Sequence, residues 1–584
     1  LKKINLTLLF LFFFFISPVF SYEFKIIPKP KEILFNGNFF EIPLENLIIV
    51  GDENKYFLNE LKKFLEESGI KKVDFKKEIN FNIPCLIVEN IKENPFKEEY
   101  KNIKNSQGYK IIVRKIKNNI FIGCIANTEI GIFYSLQTLY QILKKDGSKI
   151  VIPEIKIFDY PSFEIRGIIA GSYSEPWSFE DTIDILKFMG KYKMNSFVYG
   201  PKGDKLIREE WRKLYSEEQI ERFKKEIEEA KKNFIEYGYV ISPVKSVNYS
   251  QEKSFDALKR KIDQLYEIGI RNFGVFFDDI PEMMTPTDSL YFKEVAEAHV
   301  EFTNKLYRYL KGKDKNIRVF FCPIYYSGTQ PTPYMKIVRD KLEKEIDIGW
   351  TGPDICSYEI TEDDAKKFSE IAGKFPGIGD NYPVAGTWGL GPLRNRGKYL
   401  YKYSKSYIVN PLGKKPISSQ LPLLTIADYA WNSENYEPEE SFKNAISIFA
   451  NNKELEKYLK IFSEHFATSP CRFQKIPEFK KEREKFWEEY INGRIEDSLK
   501  NKILEEFDVC IKTKEKLEKI EKNKFYEEMK EPLEKFKNFG IVGKSLFEIL
   551  DILKIPETKK EREEIKNKVE ELLNKIIEEP FRLE

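Results

Sequence analysis

Asn272-Phe273-Gly274-Val275-Phe276-Phe277-Asp278-Asp279-Ile280-Pro281 decides the reading of this chain. A short apolar run leads directly into two adjacent carboxylates. Helical patterns flank it on both sides, so the run reads as a strand buried on both faces. Asp278 and Asp279 then stand where that strand ends. In parallel α/β proteins ligands bind at the C-terminal ends of the strands. Two neighbouring carboxylates in a partly desolvated site do not both ionise easily. One should therefore rise in pKa and serve as a general acid. Taken alone, the pair reads more readily as a solvated turn or a helix start; its setting in the chain favours catalysis.

Working outward, residues 159–433 alternate between short strand-like runs and amphipathic helical segments. Eight runs fit: Glu164–Ala170, Ser196–Tyr199, Tyr239–Ser242, Phe273–Phe277, Arg318–Phe321, Ile346–Trp350, Gly377–Gly379 and Tyr407–Val409. Eight strand–helix units of this length predict an α/β fold of the (β/α)8 TIM barrel type. The helix after the first run is typical, with Ser178 as cap and Ile183, Leu186 and Met189 facing the core. The strand ends would bring together Gly171, Tyr173, Lys202, Asp278, Asp279, Cys322, Tyr326, Trp350, Thr351, Asp380, Asn381 and Asn410. This collection of carboxylates, amides and aromatics suits sugars, whose hydroxyls need polar partners and whose C–H faces pack on rings. Each member alone also has a structural reading as core, surface ion pair or turn residue.

Residues 22–158 read as a small α+β domain. Tyr109–Val113 and Ile120–Gly123 flank an Asn118-Asn119 turn, and Thr128 caps a helix carrying Ile132, Leu136 and Leu139. Residues 434–584 form a helical region. In it Ile565, Val569, Leu572 and Ile576 make an apolar stripe, and Lys480–Lys485 reads as a solvated face. Residues 1–21 resemble a secretory signal: Lys2 and Lys3 precede the apolar run Leu6–Ile16, with cleavage expected before Tyr22. Secretion, or a periplasmic or cell-surface destination, follows. No further segment has the length of a membrane span.

The 584 residues carry 96 basic and 93 acidic side chains, so no global field points to nucleic acid or an anionic membrane. The two histidines, His299 and His465, lie far apart, and the six cysteines show no ligand spacing; a metal site is not expected. Phosphate-cradling glycine loops and a Ser–His–Asp set are missing from the strand ends. No cofactor is expected.

The residues then carry a resemblance. Arg166-Gly167 through Gly171, Pro176-Trp177-Ser178, Gly190–Asn195 and Tyr199-Gly200-Pro201-Lys202 resemble the opening of the barrel in glycoside hydrolase family 84. Phe277–Ile280, Ala298-His299-Val300, Phe321-Cys322-Pro323, Trp350–Pro353, Asp380–Val384 and Val409-Asn410-Pro411 continue it in order. That family contains bacterial β-N-acetylglucosaminidases and eukaryotic O-GlcNAcases. The preceding domain, with Gly131 and Leu136–Leu139, is similar to the small domain that precedes such barrels.

The resemblance implies retaining hydrolysis of a β-linked 2-acetamido sugar, with the substrate's own acetamido oxygen attacking C1 through an oxazoline. It also implies a carbohydrate partner. Asp278 would accept the acetamido N–H, and Asp279 would act as general acid and then base. Tyr326 would bond near the acetamido group, and Cys322 and Thr351 would lie under its methyl. The Gly171 carbonyl, Lys202 and Asn410 would hold hydroxyls, and Asn381 would also touch the sugar. Three positions depart from the family pattern. Ala170–Ser174 replaces Glu-Gly-Phe-Tyr-Gly, Gly379 replaces a Trp, and Gly386 replaces an Asp that grips the 4- and 6-hydroxyls. Altered specificity is expected, with Trp388 and Arg394 as substitute contacts. Endo-acting hydrolysis of an aminosugar polymer and carbohydrate binding without turnover stand as alternatives.

Overall fold

A computed structural model describes residues 24–89, 91, 93–243, 247–383, 389–466, 478–521 and 523–577. The expected signal segment 1–21 lies outside them.

The small domain is a mixed sheet of eight strands: β1 (Glu32–Ile42), β2 (Leu47–Val50), β3 (Val73–Lys76), β4 (Cys85–Ile87), β5 (Tyr109–Ile116), β6 (Asn119–Ile125), β7 (Lys144–Asp146) and β8 (Lys149–Asp159). Their order is β1-β8-β5-β6-β4-β2-β3, with β7 on β8. The β5–β6 hairpin forms, but its turn lies one residue earlier than expected. Ile116 pairs with Asn119, so Lys117 and Asn118 are the turn, both at positive φ (47° and 68°). A type I′ two-residue hairpin loop needs left-handed backbone at both central positions, and Asn is among the non-glycine residues that tolerate it best. Thr128 caps the helix Glu129–Ile142 by accepting from Gly131 N at 3.1 Å.

Eight parallel strands then close a barrel: β9 (Ile165–Ala170), β10 (Ser196–Tyr199), β11 (Glu236–Ile241), β12 (Asn272–Phe276), β13 (Arg318–Cys322), β14 (Asp347–Trp350), β15 (Gly377–Asp380) and β16 (Ser406–Val409). All eight predicted runs are strands. Side chains alternate across each strand. Phe273 and Val275 of β12 are fully buried towards the surrounding helices. Gly274 faces inward, where a Cβ would stand 2.4 Å from the Phe320 ring. Ser178 caps the first barrel helix, Phe179–Lys191, whose buried face is Thr182, Ile185, Leu186 and Met189; Ile183 lies at its edge.

Barrel and small domain meet over buried charge. Lys193, at φ +60°, donates to Tyr109 Oη at 2.6 Å and lies 3.3 Å from Asp159 Oδ2. Asp159 also accepts from Trp431 Nε1 at 2.8 Å. Beside them Arg166 reaches Gln107 Oε1 and the Lys193 carbonyl, both at 2.8 Å. A buried charge persists only when its partners replace water. This cluster accounts for part of the motif Gly190–Asn195: it ties the domains together.

The last barrel helix, Pro416–Trp431, is buried along its whole length. Glu528 of the helical region accepts from Ile417 N at 3.1 Å and Ser418 N at 2.6 Å, satisfying the first turn. In that region Asp497–Leu517 packs on Lys530–Ile552 around Gly540 and Gly543; a Cβ on Gly543 would overlap the Phe507 ring at 2.1 Å. Two expectations fail there. The final stripe is Ile565, Val569, Leu573 and Ile576, with Leu572 exposed, because residues three and four apart share the helix face that meets the bundle. Arg483 in the charged run is buried, paired with Glu570 at 3.1 Å over the Phe479 and Phe539 rings. Among the described residues no helix is long and apolar enough to cross a membrane.

Candidate active site

The inner faces of the strands enclose a cavity of about 640 Å³. All nine predicted site residues line it: Gly171, Lys202, Asp278, Asp279, Cys322, Tyr326, Thr351, Asn381 and Asn410. They come from seven strand ends and lie between positions 171 and 410 of the sequence.

Asp278 follows β12 through Phe277, whose N–H still pairs with the Cys322 carbonyl at 2.9 Å. Side chains of successive extended residues point to opposite faces, so an unbroken strand would send only one of the two carboxylates inward. The chain resolves this at Asp279, which adopts φ +56°. Asp is among the few residues that visit this left-handed region readily. Both carboxylates thereby reach one ammonium: Lys202 Nζ is 2.6 Å from Asp278 Oδ2 and also contacts Asp279 Oδ2. Tyr326 Oη donates to Asp279 Oδ1 and Tyr173 Oη to Asp279 Oδ2, each at 2.9 Å.

The electrostatics overturn one expectation. The Asp279 carboxyl is not raised. Burial works to raise it, but the Lys202 charge and the hydrogen bonds from Lys202, Tyr173 and Tyr326 outweigh burial and hold it below its ordinary value. Lys202 is held above its own: burial acts against the ammonium, and Asp278 and Asp279 more than offset it. The Cys322 thiol is pushed up, first by burial and then by Asp278, so it is a neutral wall.

Two buried acceptors face the cavity without a hydrogen-bond partner among the described residues: Asp278 Oδ1 and Asn410 Oδ1. A bare buried acceptor costs free energy until a donor arrives, and these two are where incoming N–H or O–H groups would be taken up. The remaining groups are positioned rather than bare. Thr351 Oγ1 donates to Asp354 O at 3.0 Å, and Thr351 N donates to Tyr326 O at 2.8 Å, fixing the Tyr326 loop. Asn381 Nδ2 donates to Ile355 O at 2.9 Å. The Gly171 backbone lies beside the Asn410 amide: a Cβ there would stand 3.8 Å from Asn410 Nδ2 and 3.2 Å from Ile169 Cγ1.

Trp350 and Asp380, expected at the pocket by position, do not present their side chains to it. The Trp350 ring stacks on Phe368 of helix Glu362–Ala372, with centroids 5.0 Å apart, and its Nε1 donates to Gly328 O. Asp380 is buried behind Asn381 in a two-point pair with Arg396, 2.7 and 2.9 Å. Each precedes a pocket residue by one and so points to the opposite face. Arg394 pairs with Glu439 at 3.0 Å, away from the cavity; Gly386 and Trp388 lie outside the described residues.

Tyr173 joins the carboxylates and belongs to the site, although sequence placed it only at a strand end. The deeper walls were also missed. Counting back by two from each pocket residue finds them: Phe276 from Asp278, Phe320 from Cys322, Gly349 from Thr351, Gly379 from Asn381 and Ile408 from Asn410.

Fold and site together define a barrel hydrolase of the paired-carboxylate kind, with a small mixed-sheet domain ahead of it. The sequence matches the β-N-acetylglucosaminidase family over residues 166–464 and the second domain of glycosyl hydrolase family 20 over residues 23–160. The chain belongs to this β-N-acetylglucosaminidase family, glycoside hydrolase family 84. It is 34% identical over 256 residues to protein O-GlcNAcase of Rattus norvegicus and, equally, of Mus musculus. That match covers 42% of this chain and spans 28% of the length of those proteins. Among solved structures it is similar to CpGH84B, with 28% identity, TM-score 0.80, and 95% of this chain and 98% of that one covered. It is also similar to an O-GlcNAc hydrolase of Thermobaculum terrenum, with 26% identity, TM-score 0.64, and 71% and 95% covered.

Proposed function

We propose that this protein is a retaining glycosidase that removes β-linked N-acetylglucosamine-type sugars by substrate-assisted catalysis. One observation carries the reading: the bare, buried Oδ1 of Asp278, beside an Asp279 carboxylate held at the cavity mouth by two tyrosines and Lys202. A glycosidase with an enzyme nucleophile needs two carboxylates facing each other across the sugar, about 5 Å apart. Two residues adjacent in sequence and joined through one ammonium suit a different division of labour.

Asp278 Oδ1 accepts the acetamido N–H of the sugar and raises the electron density on its carbonyl oxygen. That oxygen attacks C1. The C1–O bond to the leaving group breaks as Asp279 delivers its proton to the departing oxygen. The acetamido carbon and C1 now share one oxygen in a cationic oxazoline, which ionised Asp278 stabilises. Asp279, now a carboxylate, takes a proton from water as the water oxygen bonds to C1 and the oxazoline C1–O bond opens. The product sugar keeps its β configuration. Sugar hydroxyls approaching Lys202, Asn381 and Asn410 compete for the ammonium, and its withdrawal from Asp279 restores the higher pKa that a proton donor needs. No cofactor is required.

The test compares an aryl β-N-acetylglucosaminide with the aryl β-glucoside that lacks the acetamido group. Hydrolysis of the first with β-anomer released initially, and none of the second, is expected. Equal cleavage of both would overturn the reading. We also propose export through residues 1–21; N-terminal sequencing of material recovered outside the cytoplasm should begin at Tyr22, and an intact Leu1 there would refute cleavage.

A further inference from the structure

Four arginines are buried among the described residues: Arg166, Arg208, Arg396 and Arg483. Three have evident partners. Arg166 bonds Gln107 and the Lys193 carbonyl, Arg396 pairs with Asp380, and Arg483 pairs with Glu570. Arg208 differs. It is 7% exposed, no described carboxylate pairs with it, and its Nη1 is buried without a hydrogen-bond partner among the described residues. A buried cation costs free energy unless something negative answers it. What stands against this guanidinium is the Tyr173 ring, whose centre is 5.6 Å from Arg208 Cζ. Tyr173 Oη in turn donates to Asp279 Oδ2.

The backbone that carries Arg208 is firmly held. Between β10 and the helix Glu217–Lys232 the chain turns back on itself, and Arg208 N donates to Lys205 O at 3.2 Å. Buried Asp204 anchors this turn: Oδ1 accepts from Leu206 N at 2.8 Å, and Oδ2 accepts from Tyr199 Oη at 2.9 Å and Tyr215 Oη at 2.8 Å. Ile207 O accepts from Ser242 N at 3.1 Å, and Leu206 O from Lys261 Nζ at 2.6 Å. The nearby carboxylate is thus committed to the turn and not to Arg208. Tyr173, by contrast, is exposed on the loop after β9, and cations flank its ring: Lys202 Nζ is 4.6 Å from the ring centre.

We propose, resting on the reading above, that Arg208 is a positioning residue of the acid–base step: its guanidinium seats the Tyr173 ring, and its charge stands behind the phenol that donates to Asp279. A cation at an aromatic face is attracted by the ring. Burial acts to raise Tyr173, and the Lys202 and Arg208 charges work against it. A more acidic phenol is a stronger donor to a carboxylate. Formal charge points the same way. Two carboxyls meet one ammonium at Lys202, and Arg208 supplies the second cation. The two cations divide the work. Lys202 lines the cavity and, in the reaction above, turns to sugar hydroxyls. Arg208 is sealed behind Tyr173, and a guanidinium stays charged at every working pH. Its support of Asp279 therefore persists through proton delivery and the attack of water. The other titratable groups around Asp279 are Lys202, Tyr326 and Asp278, with Cys322 beyond them.

The experiment compares Arg208→Met, Tyr173→Phe and the double variant with wild type, all as the full chain. It follows the basic limb of kcat/KM on an aryl β-N-acetylglucosaminide, and the titration of Asp279 by carboxyl 13C NMR without ligand. Arg208→Met should raise both by roughly 0.5 pH unit, less than Lys202→Met does. It should lower kcat about two- to fivefold, the size of a partly exposed cation–ring contact. It should also melt at or above wild type, because an unpaired buried charge is gone. In the Tyr173→Phe background the Arg208→Met shift should shrink by half or more. An unmoved limb and titration, a variant that melts lower or does not fold, or a full-sized shift without the phenol hydroxyl would each overturn the proposal. If wild type cleaves no such glycoside, the proposed activity fails, and the NMR titration alone decides the role of Arg208.

Discussion

The Lys202 ammonium lies 2.6 Å from Oδ2 of Asp278, and the same nitrogen touches the adjacent Asp279 carboxylate. That cation helps hold the Asp279 carboxyl below its ordinary value before substrate arrives. Replacing it should move the general acid. In Lys202→Met the opposing charge is gone, so the Asp279 pKa rises. Asp279 must be protonated to act, and the basic limb of the kcat/KM profile should therefore move up by roughly 1–3 pH units. The maximum should fall as well, since a sugar contact is lost. A basic limb that stays in place would separate Asp279 from that limb.

The same pair sets a stability signature. A carboxyl held below its ordinary value stabilises the fold above the unfolded carboxylate range, and that contribution is lost as pH falls through the folded value. Lys202→Met removes the charge that holds the Asp279 carboxyl down. The variant should melt below wild type at pH 7, and the difference should narrow on acidification as Asp279 protonates. A gap that widens towards low pH would contradict this sign.

The two tyrosines on Asp279 are not equivalent. Tyr326 is half-buried, and its loop is pinned by Thr351, whereas Tyr173 is 60% exposed. A hydrogen bond to a charged group is worth about 1.5–3 kcal/mol when shielded. Tyr326→Phe should therefore cost about 10- to 100-fold in kcat, and Tyr173→Phe distinctly less. Equal losses would show that solvent does not discount the Tyr173 bond.

Histidine should be silent in the pH profile. His299 is stacked on Phe277 with centroids 3.8 Å apart, and burial pushes it down to about 3. Burial takes His465 down to about 4. Both imidazoles stay neutral across the working range, so their NMR shifts should not move between pH 5 and 9. An inflection near pH 6.5 in either would refute their burial.

Arg396 holds the loop behind the site together. It pairs with Asp380 and bonds the Ser357 and Tyr358 carbonyls at 3.2 Å, linking the loop after β14 to β15. Arg396→Met strands a buried carboxylate and should cost about 3–5 kcal/mol of stability by denaturant titration. Adding Asp380→Asn should recover part of that loss. A single mutant as stable as wild type would mean that the pair contributes nothing.

Much of this site was legible because a parallel barrel has a rule that sequence obeys. Runs such as Phe273–Phe277 announce strands, and function collects where they end. Within a strand end the alternation of faces decides the rest: Thr351 and Asn381 face the cavity, while Trp350 and Asp380, one residue earlier, do not. Asp278 and Asp279 escape that alternation only through the left-handed backbone at Asp279, which no apolar pattern reveals. The depressed Asp279 pKa was illegible for a different reason. Its cause, Lys202, arrives from another strand, and the charge balance exists only once the barrel closes. Arg483 and Leu572 were misread because a charged or apolar letter does not say which neighbour the helix will meet.

The most direct test of the central claim is the leaving-group dependence of Asp279→Ala on aryl β-N-acetylglucosaminides. If Asp279 protonates the departing oxygen, poor leaving groups should slow by about 10²–10⁴-fold, while an activated dinitrophenyl leaving group should be nearly spared. Asp278→Ala should lose turnover with every leaving group. An Asp279→Ala enzyme that slows all substrates equally, or that keeps its rate on the poorest one, would contradict the assignment.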